Sequence, residues 1–279
     1  MPDAPVGDPS LVLREIRMEE GRRAFGGDPD NYDAARPPYP GSVFEILKRR
    51  CRLAEGVHVF EIGPGTGLAT RPLLAAGASP LVAIEPDERL AAALRSRLPD
   101  TALNVVNTTF EAADLPSAMF DLGVAATSFH WMEQRPALAK VARLLRPGGW
   151  WAMWWNVFGD PDEPDPFHDA TVALLQGGAS PSGHPSWKHP FALDLEARLA
   201  DLEADNWFDA IDVDFERWTL VLDPAEVRAL YATYSQFAPL IATERDCILD
   251  KLADIAAREF AGRVERRMVT ALYTARRRA

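Results

Sequence analysis

Cysteine is almost missing from the 279-residue chain: only Cys51 and Cys247 occur. Two widely separated thiols give neither a disulfide framework nor a thiolate metal site, and they fit a reducing cytoplasm. Long apolar runs are missing too. No stretch approaches the ~18 residues of a membrane span and no basic-then-apolar leader opens the sequence, so membrane and secreted readings fall away. Positive charge is in deficit, with 30 Lys and Arg against 41 Asp and Glu and a net charge of −11. Nucleic-acid binders concentrate positive charge on one face, so nucleic acid is not an expected partner. The basic end at Arg276, Arg277 and Arg278 reads as a solvated tail. The five histidines (His58, His130, His168, His184 and His189) are scattered, without the converging ligands of a metal centre.

What remains is the composition of an ordinary globular protein, 47% hydrophobic and 25% charged, long enough to bury a core without staples. Ser42–Leu53 carries Val43, Ile46, Leu47 and Arg50 at helical spacing, with Ser42 as its expected N-cap. The period then shortens. Val57, Val59, Phe60 and Ile62 form a β-branched, apolar run closed by Gly63-Pro64-Gly65-Thr66-Gly67, and Leu68–Ala76 reads as a helix. Strands follow at Leu81–Ile84, Ala102–Val106, Phe120–Ala126 and Trp150–Val157, interleaved with helices at Asp87–Leu98 and Pro136–Leu145. This alternation predicts βαβ crossovers and a mainly parallel sheet covered on both faces, an α/β fold.

Past Val157 the pattern breaks. Residues 159–190 hold six prolines and four glycines, which predicts a long loop around one short helix, Asp169–Leu175. Helices are expected at Leu193–Asp205, Pro224–Phe237 and Ala242–Phe260, and strands at Phe215–Leu222 and Val264–Thr274. The whole reads as one domain: an N-terminal cap over 10–40, a cofactor-binding core over about 41–157, and a variable substrate or lid region over about 158–262.

The strongest local signal is the glycine turn between a strand and a helix. Glycines serve where the backbone must turn tightly and approach a ligand with no Cβ in the way. Glu85 lies eighteen residues past Gly67, at the end of the next strand, where a carboxylate can accept two hydrogen bonds from a ribose diol. A dinucleotide fold wants G-x-G-x-x-G; here the spacing is G-x-G-x-G, and Glu61 stands two residues before the first glycine. A carboxylate there repels a pyrophosphate and suits a ligand carrying an ammonium and a sulfonium, which favours S-adenosylmethionine.

FEIGPGTG (60–67), AIEPD (83–87), FEAADLP (110–116), FDLGVAATSFHW (120–131) and LLRPGGW (144–150) together resemble the class I S-adenosylmethionine-dependent methyltransferases. The resemblance is closest to the small-molecule group called type 11, and NYDAARPPYP (31–40) is similar to its entry segment. It implies a Rossmann-like sheet with an antiparallel last strand and a helical lid. Glu61, Gly63, Gly65 and Gly67 would hold the methionine part. Glu85 would take the ribose hydroxyls, with Pro86 near the adenine. Glu111 and Ala112 stand where the family places an Asp-Ala pair at the adenine amino group. Thr127 would lie beside the sulfur, and Tyr32 and Arg36 would cover the methionine carboxylate.

Trp154 to Phe158 reach the carboxyl end of their strand, so an aromatic wall for an apolar or planar acceptor is one reading and core packing the other. Residues 159–190 and the segment through Tyr39 are expected to cover the acceptor. His130 follows the fourth strand and is the candidate general base, with pocket lining and loop anchoring as alternatives. The expected activity is methyl transfer to a small organic molecule by a monomer or homodimer, the methylated atom (O, N or C) left open. A nucleotide-binding oxidoreductase and a cofactor-binding protein without catalysis are the rival classes.

Overall fold

Among the described residues seven strands share one sheet in the order β3-β2-β1-β4-β5-β7-β6. They are β1 (Val57–Ile62), β2 (Ala78–Ile84), β3 (Leu103–Val106), β4 (Phe120–Ala126), β5 (Leu145–Phe158), β6 (Phe208–Leu222) and β7 (Val264–Arg277). The computed structural model describes residues 18–22, 24–175, 181–183 and 188–279. His184, Trp187 and residues 10–17 of the expected cap lie outside them. Strands β1 to β5 run parallel, and β7 lies antiparallel between β5 and β6. The α/β Rossmann-like expectation holds. Strand order reverses between β1 and β4, and the carboxyl ends at such a reversal are where open α/β sheets bind ligands.

The helices are α1 (Met18–Gly21), α2 (Pro29–Ala35), α3 (Gly41–Cys51), α4 (Thr70–Ala75), α5 (Glu88–Arg97) and α6 (Gln134–Leu144), then α7 (Pro166–Thr171), α8 (Leu195–Glu203), α9 (Pro224–Ala232) and α10 (Ala242–Glu259). Alternate strand residues face opposite layers. On one face Val59, Leu81, Leu122 and Trp154 meet Val43, Phe44 and Leu47 of α3 and Leu94 of α5. On the other, Phe60, Val82 and Trp151 meet Leu138 and Val141 of α6 and Leu202 of α8. Trp151 and Trp154 are fully buried; removing one such ring typically costs about 3–5 kcal/mol.

Three local expectations change. Ser42 lies inside the first turn of α3 rather than capping it: Pro40 holds the cap position, and the Ser42 hydroxyl donates to Glu216 on β6. Strand β5 begins at Leu145 rather than Trp150, so Pro147, Gly148 and Gly149 lie within it. Strand β6 is much longer than Phe215–Leu222, because its acidic first half pairs with β7 and meets arginines: Arg50 with Asp212 and Asp214, and Arg276 with Asp209. Between β6 and β7, residues 223–263 form an inserted helical pair. An Asp223–Glu226 capping box starts α9, and Val227, Leu230, Ile248, Leu249 and Leu252 give the insertion its own apolar cluster.

Candidate active site

At the strand reversal lies a cleft between the carboxyl edge of the sheet and the N-terminal cap, the place where open α/β sheets bind small molecules. Its floor is Gly63, Pro64 and Gly65 after β1, Glu85 and Pro86 after β2, and Thr127 and Ser128 after β4. Its roof is Arg22, Phe25, Tyr32 and Tyr39 of the N-terminal cap.

The three glycines divide their work. All adopt positive φ, at 65° for Gly63, 59° for Gly65 and 99° for Gly67. A Cβ on Gly63 would sit 2.7 Å from the Ser128 Cβ, whereas one on Gly65 would meet only Tyr32, at 3.8 Å. Gly65 therefore faces the open cleft. A Cβ on Gly67 would lie 2.8 Å from Leu94, so this glycine serves close packing against α5. It does not line the cleft, contrary to the ligand contact expected of it.

Glu85 accepts hydrogen bonds from the backbone N–H of Gly65 at 3.0 Å and of Asp87 at 2.9 Å. A carboxylate has about four lone-pair positions, so two remain for a diol. Glu61 sits behind the turn, wholly buried. One of its oxygens accepts from the Thr70 hydroxyl at 2.7 Å, and the other, Oε1, has no partner among the described residues. Burial pushes the Glu85 carboxyl up to about 7, against the pull of its two backbone N–H bonds. Burial also pushes Glu61 up to about 8; the Thr70 bond lowers it and the Glu85 charge raises it.

These shifts have a definite sign. Both carboxyls keep their protons in the fold over a range where the unfolded chain, with Glu near 4.5, has lost them. The ligand-free fold therefore loses stability as pH rises from about 4.5, until both carboxyls have ionised at about 7 to 8, by proton linkage. A cationic ligand favours the ionised carboxylates, so its affinity should climb over the same interval with release of protons. Titration calorimetry in buffers of different ionisation enthalpy measures that release; a buffer-independent heat at pH 7 counts against it.

The cap is fastened across the Glu111 end of the cleft. Arg22 pairs with Glu111 at 2.6 Å and donates through Nε to the Trp131 carbonyl at 2.9 Å. Phe25 packs edge-on against Tyr32 and Trp131. Tyr39 donates to Thr127 Oγ1 at 2.9 Å, and Thr127 is held at φ 52°. Glu111 thus reaches the cleft as half of an ion pair, while Ala112 lies outside the lining, its N–H directed to the Thr109 carbonyl. Arg36 also lies outside the lining. Arg22, Phe25 and Tyr39 fall within the cap expected over 10–40, but the sequence did not single them out; NYDAARPPYP at 31–40 was the nearest signal.

His130 is not placed as a base. It is 5% exposed, and its Nδ1 accepts from the Trp155 indole at 2.9 Å, so the proton resides on Nε2. Burial, and secondly the Arg36 charge, push it down to about 3. His130→Ala should cost stability, about 1–3 kcal/mol for the orphaned indole N–H, and leave turnover within about tenfold; a loss of ~10²-fold with intact cofactor binding would restore the base role. The aromatic-wall reading changes as well. Trp154 and Trp155 are buried in the core; three residues of this stretch meet the cap, Trp154 edge-on against Tyr39, Asn156 at the Pro38 carbonyl and Phe158 against Arg36.

The cover over the far side also differs from expectation. Among the described residues, none from 159–190 lines the cleft. The inserted pair faces the cap instead: Asn31 donates to the Ala229 carbonyl and Arg36 to the Thr233 carbonyl, both at 3.0 Å. Among the described residues no helix is long and apolar enough to cross a membrane, and no three His, Cys, Asp or Glu side chains gather as a metal site.

A family profile described as "Methyltransferase domain" matches residues 60–153. An uncharacterised methyltransferase of Mycobacterium tuberculosis is 32% identical over 133 residues, 48% of this chain and 52% of the relative. One from Schizosaccharomyces pombe is 28% identical over 135 residues, 48% of this chain and 53% of the relative. The chain thus spans about half the length of the curated relatives it matches. The structure of Haemonchus contortus phosphoethanolamine N-methyltransferase 2, with phosphomonomethylethanolamine and S-adenosylhomocysteine, superposes with a TM-score of 0.55 at 14% identity, over 91% of this chain and 58% of that one. That likeness is one of fold.

Proposed function

With residues 60–153 a methyltransferase domain of the class I, type 11 group, we propose that the chain carries a methyl group from S-adenosylmethionine to a small organic acceptor. One observation carries this reading. Two buried carboxylates, Glu61 and Glu85, are folded against a single glycine turn, and neither forms an ion pair among the described residues. Buried carboxylates without cations are costly, and a ligand bearing an ammonium and a sulfonium relieves them. The unpartnered Glu61 Oε1 and the open side of Gly65 fit such a ligand.

Bound there, the cofactor supplies a methyl group activated by positively charged sulfur. The chain's own contribution is orientation. Glu85 would hold the ribose diol, the Gly63–Gly65 backbone the methionine part, and Pro86 the adenine region, with the Arg22–Glu111 pair closing that end. Tyr32 and Tyr39 would exclude water over the reacting atoms, and Thr127 would fix the position beside the sulfur. Alignment of nucleophile and methyl group, with water excluded, supplies much of the rate in such a displacement. The net charge of −11 supports a small acceptor over a nucleic acid. Incubation with methyl-labelled cofactor and a metabolite extract, followed by mass spectrometry, tests the proposal. A labelled small product is the expected result; cofactor binding with no labelled product from any extract would refute transfer.

A further inference from the structure

Arg36 stands behind the cleft rather than in it. Its guanidinium carbon lies 5.4 Å from the centre of the Tyr32 ring, 5.1 Å from Tyr234 and 5.9 Å from Phe158. These rings come from the cap, the insertion and the end of β5. Nη2 donates to the Thr233 carbonyl at 3.0 Å. The buried Arg36 Nε has no partner among the described residues, and neither has the Tyr234 hydroxyl. Among the described residues no carboxylate pairs with Arg36, although most arginines of the fold are paired. The ring contacts recover only part of what an unpaired, half-desolvated guanidinium loses. Tyr234 is held in place by stacking on Tyr231 at 4.8 Å, which in turn accepts from Arg266 at 2.6 Å.

A cation and a hydroxyl, both with idle donors and both framed by aromatic rings, describe an oxyanion site for a planar molecule. Tyr32 joins it to the cleft, since one ring both lines the cleft and carries Arg36. We propose that Arg36 and Tyr234 form the acceptor's anion subsite, so that the acceptor is a planar or aromatic molecule bearing a carboxylate or phosphate group. This rests on the methyltransferase reading above. Both donors are shut from water while the cap and insertion touch through Asn31 and Arg36; the anion therefore enters when those two parts separate.

A carboxylate at Arg36 has a second source, the methionine end of the cofactor, and the experiment separates the two. The full chain is saturated with S-adenosylhomocysteine and titrated with benzoate, phenyl phosphate and benzamide. One of the two anions should bind at least about tenfold more tightly than benzamide, as charge-assisted hydrogen bonds require, and the tighter names the group. Arg36→Met should abolish that preference and Tyr234→Phe should reduce it, with S-adenosylhomocysteine affinity unchanged in both. Equal binding of the three probes overturns the subsite. So does a tenfold loss of S-adenosylhomocysteine affinity in Arg36→Met with the anion preference intact, which assigns Arg36 to the cofactor. If that variant does not fold, Tyr234→Phe alone decides: an unaltered anion preference overturns the subsite. A parent chain that binds no S-adenosylhomocysteine overturns the methyltransferase reading instead, and the anion preference is then read without it.

Discussion

Glu85→Ala is expected to bind S-adenosylhomocysteine about 10- to 100-fold more weakly than the parent chain. Hydrogen bonds to a charged group contribute about 1.5–3 kcal/mol, and a ribose diol offers two of them. The substitution also leaves the N–H groups of Gly65 and Asp87 without their acceptor, which loosens the turn that faces the ligand. Glu85→Gln keeps an acceptor but cannot ionise. It should fall between the two in affinity, with a flatter dependence of binding on pH through about 7, the value to which burial raises Glu85. Calorimetry at two pH values is sufficient; parental affinity in Glu85→Ala would remove the diol role.

Gly65→Val should abolish binding, a loss beyond ~10²-fold, or more than about 2.8 kcal/mol. Its Cβ has room, with Tyr32 the nearest atom at 3.8 Å, so the protein itself meets only the cost of a left-handed backbone, about 1–2 kcal/mol. The branched methyls would instead occupy the cleft. Gly67→Ala should behave in the opposite way. Its Cβ meets Leu94 at 2.8 Å and Leu98 at 3.0 Å, and overpacking of this kind costs about 1–3 kcal/mol beyond the backbone strain. A lowered melting temperature with nearly parental affinity is the signature. If both variants lose ligand and stability in equal measure, the division of labour between the two glycines is wrong.

The glycine turn and Glu85 could be read from the sequence because their meaning is local. A strand end, a tight turn and a helix start lie within a dozen residues, and the carboxylate follows at the end of the neighbouring strand. Gly67 could not be separated from Gly65, since the difference lies in Leu94, a residue of α5. Arg22 and Phe25 sit in a charged, weakly periodic stretch, and nothing nearby announces that Glu111 and Trp131 will meet them. His130 was read by its position after β4, whereas its chemistry is decided by Trp155 on the next strand. The strand expected at Phe215–Leu222 begins at Phe208, because the arginines that neutralise its acidic first half belong to the distant α3 and β7.

Among the described residues strand β6 has β7 as its only neighbour in the sheet, and the whole insertion is translated between them. A nascent chain therefore completes β6 well before anything exists for it to pair with, at synthesis rates of ~5–20 residues per second. An apolar strand waiting in that condition is an aggregation hazard. Its acids work against that hazard: like copies repel one another, Asp212 and Asp214 have Arg50 of α3 to meet from the start, and Asp209 gains Arg276 once Val264–Arg277 is made. A ribosome halted before Val264 would thus leave β5 with an open edge as well, because β7 is the strand that separates β5 from β6.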